Sequence, residues 1–131
     1  MLQIERVAEV SGRSQQEIYE FLRDMRNWEK LMPEGKVSKW RAEKDFCFFN
    51  LNNMADLELH LQEEDAPHSM RVANPEPKPF PISLKLTVED GTARLNFEGE
   101  MNFFLQTVAE KPLGNLFGIM CDQLARELAQ S

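Results

Sequence analysis

The end of the chain predicts an amphipathic helix that is apolar over about half of its circumference. The predicted helix runs from Leu113 to Gln130. At helical spacing, one stripe along its surface holds large apolar residues, namely Leu113, Leu116, Phe117, Met120, Leu124 and Leu128. A neighbouring stripe holds the small residues Gly114, Gly118, Cys121, Ala125 and Ala129. Lys111-Pro112 marks either the start of this helix or a kink in a helix that begins near Phe103. So wide an apolar face must be covered by another layer of the fold.

The layer that covers the helix is predicted to be an antiparallel sheet. The clearest strand is at residues 55–62, where apolar side chains alternate strictly with polar ones. Similar patterns predict strands at residues 2–10, 37–42, 46–51, 70–72, 82–89 and 93–100. Asp90-Gly91 favours a tight hairpin turn between the last two of these strands. Because the connections are mostly short, neighbouring strands should pair antiparallel.

Two short helices are predicted between the first and second strands. Ser14-Gln15-Gln16-Glu17 has the form of a capping box, in which serine and glutamate satisfy open backbone donors at a helix start. Apolar residues then follow on one helical face, at Ile18, Phe21, Leu22 and Met25. A second helical turn, from Trp28 to Met32, ends at Pro33. The predicted order is therefore a strand, two short helices, a run of strands and one long helix.

Proline occupies every second position from Pro75 to Pro81, within the segment Asn74–Pro81. Such a segment must be extended and cannot donate the hydrogen bonds of a central strand. We expect a stiff surface loop between two strands. The alternative is a docking segment of polyproline type, but Glu76 and Lys78 stand where such a ligand would carry apolar residues.

Charge and composition narrow the classes of protein. The 131 residues include 15 basic and 22 acidic side chains, so the net charge is −7, which repels nucleic-acid backbones and anionic lipid surfaces. No apolar run approaches the length of a membrane span, and Met1–Val10 is too polar for a signal peptide. Two cysteines do not make a disulfide framework. These features predict a cytoplasmic protein with no nucleic-acid partner and no membrane span.

The sequence resembles the START-like (SRPBCC) superfamily, whose helix-grip fold is shared with the birch-pollen allergen and polyketide cyclases. The resemblance rests on Val10 to Asp24 after the first strand, Leu31-Met32-Pro33-Glu34 before the next, and Glu110-Lys111-Pro112-Leu113 entering the last helix. It is closest to small, largely uncharacterised bacterial members. It implies a single α+β domain over residues 1–131, with a curved antiparallel sheet wrapped around the long C-terminal helix. It also implies a cavity between sheet and helix that holds hydrophobic or amphipathic ligands.

The residue pattern supplies candidate walls for such a cavity. The apolar candidates are Ala55, Leu57, Leu59, Leu61, Leu84, Leu86, Leu95, Phe97, Leu116, Phe117 and Met120. Asn50 and Arg6 share the alternation of Phe46 and Leu2, so either could enter the interior and orient a polar group of the ligand. Phe80, Phe103 and Phe104 are candidates for the entrance. The small-residue stripe means either that backbone from another element packs closely against the helix or that a void lies beside it.

The sequence offers little chemistry for catalysis. His60 and His68 are the only histidines, and neither has histidine or cysteine at metal-ligand spacing. Cys47 and Cys121 have no adjoining histidine or lysine that would activate a thiol. We therefore predict no catalytic residue, no metal and no other cofactor.

Three functions are open on the sequence alone. The first is non-enzymatic binding of a small hydrophobic or amphipathic, lipid-like ligand in the cavity. The second is an enzyme similar to polyketide cyclases or dehydratases, which would need an acid or base inside the same cavity. The third is a structural or partner-binding domain with a filled core, for which a homodimer along an exposed strand edge is one arrangement. The lack of an interior histidine candidate favours binding over catalysis.

Overall fold

Seven antiparallel strands form one curved sheet, and a long C-terminal helix packs against it. The computed structural model describes residues 1–76 and 80–129. The elements are β1 (Leu2–Glu9), α1 (Gln15–Arg23), a 3₁₀ helix (Met25–Leu31), β2 (Val37–Glu43), β3 (Phe46–Leu51), β4 (Ala55–Asp65), β5 (Ser69–Ala73), β6 (Ile82–Glu89), β7 (Thr92–Gly99) and α2 (Phe103–Ala129). The strand order across the sheet is β1-β7-β6-β5-β4-β3-β2. The predicted α+β fold class is confirmed.

The inner face of the sheet is apolar because the strand registers align the alternating residues. One row crosses five strands, through Ile4, Phe97, Leu84, Val72 and Leu61. The register of β4 with β5 then shifts between Leu61 and Glu63. A shift of this kind is a β-bulge, which changes the face to which the following residues point. The apolar alternation of β4 therefore ends at Leu61.

The two short helices form as predicted. The Ser14 hydroxyl accepts a hydrogen bond from the Glu17 backbone N–H at 3.2 Å, and the Glu17 carboxylate accepts one from the Ser14 N–H at 3.0 Å. This reciprocal pair is the capping box, and it fixes the start of α1. In the following 3₁₀ helix, Trp28 is fully buried and its indole N–H donates to the Leu22 carbonyl at 2.9 Å. The indole therefore joins the two helices into one unit.

α2 is one continuous helix with Pro112 inside it. The Lys111-Pro112 pair therefore lies within a helix that begins at Phe103 and does not mark a helix start. The last residue of the predicted helix, Gln130, lies outside the described residues. The part that follows Pro112 is buried against β1 and the 3₁₀ helix. The part that precedes it is largely exposed, with Phe103 at 83% exposure. The buried residues of α2 all follow Pro112, and from the first part Ala109 packs against the core.

The small-residue stripe of α2 faces an arginine side chain. A Cβ built on Gly114 would lie 2.8 Å from Nη2 of Arg6, and one on Gly118 would lie 3.8 Å from Nε of Arg6. We expected either close backbone packing or a void beside these two glycines. Neither is found, because the side chain of Arg6 from β1 covers them. The missing side chains leave room for the guanidinium to lie across the helix.

Candidate functional site

An inner cavity lies between the sheet and the buried part of α2. It brings together most of the predicted walls, namely Leu57, Leu59, Leu84, Phe97, Leu116, Phe117 and Met120, and adds Trp28, Met32, Phe49, Ile82 and Leu113. Phe97 and Phe117 face each other across it, with ring centroids 5.1 Å apart. The described lining is entirely apolar, so it holds no group that could transfer a proton.

The inner cavity is nearly filled by these side chains. Its volume is about 10 Å³, which is close to the least space that one water molecule needs. Interiors are normally packed to this density. The space between sheet and helix is therefore narrow at its deep end, and any ligand has to enter from a wider part.

A wider space, the mouth pocket, opens beside Pro112. Its volume is about 70 Å³, and it shares Leu57, Ile82, Phe97 and Leu113 with the inner cavity. The rest of its lining comes from the end of β3, the turn into β4, the loop before β6 and α2, through Leu51, Asn52, Met54, Ala55, Phe80, Ala109 and Pro112. Asn52 is the one polar residue in this described lining. The two spaces form one apolar recess that widens toward the outside.

The remaining apolar candidates lie away from this recess. Leu86 and Leu95 are buried, with less than 4% of each residue exposed. Neither lines the inner cavity or the mouth pocket. Leu61 is half-buried and packs against the core cluster. These residues belong to the packed core. The recess therefore uses only part of the predicted wall, at the end of the sheet nearest Pro112.

Neither polar candidate lines the recess, so their predicted position needs correction. Asn50 alternates with Phe46 and Phe48, but the residues of β3 that face the core are Cys47, Phe49 and Leu51. Asn50 therefore points to the outer face, where its amide donates to Oδ1 of Asp56 at 3.0 Å. Its own Oδ1 is buried and has no donor among the described residues.

Arg6 lies on the inner face but at the edge of the sheet. Its guanidinium donates to the Glu5 carbonyl at 2.8 Å and rests against Gly114. The side chain is exposed, because β1 is the last strand on this side. An edge position gives a long charged side chain access to solvent without leaving the inner face.

Of the candidates for the entrance, only Phe80 lines the mouth pocket. Phe103 and Phe104 project into solvent at 83% and 73% exposure. Phe80 is positioned by Asn74, a residue that sequence analysis did not single out. The Asn74 amide donates to the Phe80 carbonyl at 2.8 Å, and its Oδ1 accepts from the Ile82 N–H at 3.1 Å. The Asn-Pro pair at the start of the loop was the available signal, because Asn before Pro favours turn initiation.

The proline-rich segment is described only at its ends. Asn74 to Glu76 and Phe80 to Pro81 connect β5 to β6, which agrees with a loop between strands. Residues 77–79 lie outside the described part of the chain. The prediction of a stiff loop is therefore tested only at the two points where Asn74 ties the loop together.

The two cysteines are buried, and His60 contacts neighbouring side chains. Burial raises the pKa of the Cys47 thiol to about 12. Burial, reinforced by the charge of Asp122, raises the pKa of Cys121 to about 11. His60 lies 2.9 Å from the Glu58 carboxylate and stacks on Phe46. Within residues 1–76 and 80–129 no group of three histidine, cysteine or acidic side chains could hold a metal ion.

A polar network lies away from the recess, where α1 meets β4. The buried Tyr19 hydroxyl donates to Glu64 at 2.5 Å, and Arg23 bridges Glu64 and Asp45 at 3.0 and 2.9 Å. The Tyr19 hydrogen bond, followed by that of Arg23, lowers the pKa of Glu64. Burial and the hydrogen bond to Glu64 raise the pKa of Tyr19. This network fixes α1 to the sheet.

Solved structures of small bacterial proteins share the fold. An NMR structure of a protein from Thermobifida fusca superposes with a TM-score of 0.72 at 15% sequence identity, over 99% of this chain and 95% of that one. A crystal structure of a protein from Mycobacterium smegmatis gives 0.73 at 15% identity, over 99% and 92%. One from Thermus thermophilus gives 0.69 at 12% identity, over 98% and 97%. At these identities the likeness shows the fold alone.

The fold defines a class, a seven-stranded antiparallel sheet with a long C-terminal helix, which is consistent with a helix grip. No known family model matches the chain, and no curated protein sequence is significantly similar to it. None of the helices in the described residues is long and apolar enough to cross a membrane.

Proposed function

We propose that this protein binds a small hydrophobic or amphipathic ligand, without chemical conversion, in the recess between the sheet and α2. The observation that carries the proposal is the mouth pocket, an apolar space of about 70 Å³ that opens beside Pro112 and continues into the core. Such a recess gains affinity by removing apolar ligand surface from water, at roughly 25 cal/mol per Å² before the costs of ordering. We also propose, from the resemblance, membership of the START-like superfamily. Because its two cysteines form no disulfide framework, we further propose a cytoplasmic location.

The size of the recess limits the ligand. An apolar cavity of about 150 Å³ holds one benzene molecule in a well-studied case. The mouth pocket is smaller, so a ring or a short alkyl chain enters only if a wall residue moves. Met54 is 60% exposed and Phe80 sits in a loop, so both side chains have room to turn outward. The bound group is therefore a short chain or a single ring.

A matched pair of variants on α2 tests this proposal. Ala109 is half-buried and lines the mouth pocket, whereas its neighbour Glu110 is exposed. The fluorescent apolar probe N-phenyl-1-naphthylamine can place its single phenyl ring in the pocket and leave its naphthyl group outside. Ala109→Phe should fill the pocket and weaken binding of this probe by about tenfold, the effect of losing roughly 1.4 kcal/mol of contact. Glu110→Phe adds the same ring to the outside of the helix and should leave the affinity unchanged. Equal affinities for both variants would contradict the proposal.

The purified protein offers a second measurement. Native mass spectrometry should show an additional small apolar mass on part of the wild-type protein and less of it on Ala109→Phe. This measurement requires no assumption about the ligand. An additional mass that both variants retain equally would place the bound molecule elsewhere.

The second candidate function is that of a structural or partner-binding domain whose core is filled. It is favoured by the inner cavity, which has a volume of only about 10 Å³. In that case the protein acts through its surface, and the exposed Phe103 and Phe104 are the natural contact for a partner, since large exposed apolar patches mark interaction sites. An enzyme of the cyclase type gains no support from the described lining, which is apolar apart from Asn52. The probe measurement separates binding in the recess from action through the surface.

A further inference from the structure

A second, larger space lies on the other side of Phe80 from the mouth pocket. We name it the outer chamber. It has a volume of about 340 Å³, and Leu57, Phe80 and Ile82 line both it and the mouth pocket. These three apolar side chains, which we call the partition, border both spaces. Because Phe80 is half-buried and belongs to a loop, its ring is the part of this partition that can turn aside.

The outer chamber exists because two neighbouring strands separate at this point. Pairing of β4 with β5 begins at His60 and Ala73, although β4 starts at Ala55. Residues 55–59 therefore pair with β3 on one side, and no described strand pairs with them on the other. The chain leaves β5 at Asn74 and returns in β6 at Ile82. The sheet thus has an opening beside the mouth pocket, and the outer chamber occupies it.

The walls of the outer chamber combine aromatic rings with carboxylates. Phe48 and Phe80 supply the rings, and Asp56, Glu58 and Glu76 are the charged residues of the described lining. Apolar surface contributed by Leu57, Pro75 and Ile82 lies among them. A cationic group gains from both features, because it is attracted to carboxylates and to the faces of aromatic rings.

An arginine and a histidine near the chamber bear on this charge balance. The Arg41 guanidinium lies over the Phe48 ring, 4.6 Å from its centroid, and His60 contacts Glu58. Neither residue lines the chamber. Arg41 shows that the Phe48 ring already accepts a cation on one face. Among the described residues, Asp56 and Glu76 make no hydrogen bond or ion pair with Arg41 or His60.

We propose that the outer chamber holds the cationic head of the ligand, an alkylammonium-type amphiphile whose apolar chain passes Phe80 into the mouth pocket. This inference rests on the proposed binding function and adds the chemical class of the ligand. The two spaces match the two ends of such a molecule, because the lining of the mouth pocket is apolar apart from Asn52 and the outer chamber carries carboxylates. Phe80 then sets how far the chain reaches inward.

Three compounds of equal chain length test the class of ligand. Octylammonium, octanol and octanoate are titrated separately against the protein carrying N-phenyl-1-naphthylamine, at pH 7, in low salt and below the micellar range. We expect octylammonium to displace the probe at a concentration about tenfold lower than octanoate does, with octanol between them, because the carboxylates of the chamber attract the ammonium group and repel the carboxylate of octanoate. Added salt should reduce this preference, because it screens exposed charges.

Matched variants separate the chamber from the overall negative charge of the protein. Asp56→Asn and Glu76→Gln each remove one carboxylate from the chamber, and Asp56→Asn keeps an oxygen that can accept the Asn50 hydrogen bond. Glu89→Gln removes the same charge from the far end of β6, outside the chamber. The double variant of the chamber should lose most of the preference for octylammonium. Glu89→Gln should keep it.

The outcomes distinguish this inference from the function on which it rests. If the probe binds and all three compounds displace it equally, or octanoate displaces it best, the cationic class is wrong and the recess still binds apolar molecules. If Glu89→Gln lowers the preference as much as the chamber variants do, the effect is due to net charge and the inference is overturned. If the probe does not bind at all, both proposals fail.

Discussion

The two ends of the molecule are built in opposite ways. At one end, which we call the closed end, α1 is tied to the rest of the protein by polar contacts, including the Tyr19–Glu64 hydrogen bond and the bond from Arg13 to the Leu128 carbonyl at 2.8 Å. At the other, the open end, the first part of α2, Met54 and Phe80 border the mouth pocket and the helix surface is apolar and exposed. The same helix is therefore packed into the core at one end and exposed beside the mouth pocket at the other.

The largest expected effect compares one leucine from each end of α2. Leu124 is 1% exposed and Leu105 is 38% exposed. Leu124→Ala should lower the free energy of unfolding by about 2–5 kcal/mol, because it leaves a cavity in the core. Leu105→Ala should change it by less than about 0.5 kcal/mol. Urea denaturation measures both, and equal losses would show that the first part of α2 is packed after all.

Tyr19→Phe tests the polar contacts of the closed end. It should lower the free energy of unfolding by about 1 kcal/mol, because it removes one hydrogen bond from a buried hydroxyl. The pKa of Glu64 is lowered in the folded protein, so the stability due to this carboxylate is present above its usual pKa and is lost as the pH falls through the lowered value.

The same substitution should therefore move acid unfolding to higher pH. Without the Tyr19 hydroxyl, the pKa of Glu64 rises toward its usual value, and protonation begins earlier in an acid titration. Circular dichroism as a function of pH measures the midpoint. An unchanged midpoint would show that Glu64 does not couple α1 to the sheet.

The smallest expected effect lies between the two ends, at Gly118. An added Cβ would lie 3.8 Å from Arg6, an ordinary contact, and alanine favours a helix over glycine by about 1 kcal/mol. Gly118→Ala should therefore raise the free energy of unfolding by up to about 1 kcal/mol. Gly114→Ala should raise it less, because Nη2 of Arg6 must first move away. A loss of stability in Gly118→Ala, measured by thermal denaturation, would show that another element packs closely there.

The fold was predictable because its signals are periodic and local. Strand alternation, the capping box at Ser14 and the wide apolar face of α2 each follow from spacing alone. The facing of single residues was less predictable. Asn50 was assigned to the wrong face of β3, because this strand carries phenylalanine on both faces, at Phe48 and at Phe49, so its alternation does not show which face is buried. In the neighbouring strand, the register of β2 with β3 shifts between Ser38 and Arg41. Lys39 adopts a φ of 58° within the shift in β2.

The site was predictable only in part, for a different reason. Leu57 and Phe97 line the recess as the alternation predicts, but so do Pro112 and Ala109, which a sequence pattern does not distinguish from the rest of the helix. The partition depends on Asn74, whose two hydrogen bonds bring Phe80 and Ile82 together across the loop. Contacts of this kind are set by tertiary structure. They leave no periodic trace in the sequence.

We infer that the open end contains a site for apolar ligands and that the closed end does not. The most direct measurement is a titration with benzene, followed by the methyl NMR signals of isotope-labelled protein. We predict saturable chemical-shift changes for the methyl groups of Leu57, Ala109 and Leu113, which line the mouth pocket. We predict none for Leu124, which is buried nearer the closed end. Shifts at Leu124 alone, or no saturable shift at the three mouth residues, would contradict this inference.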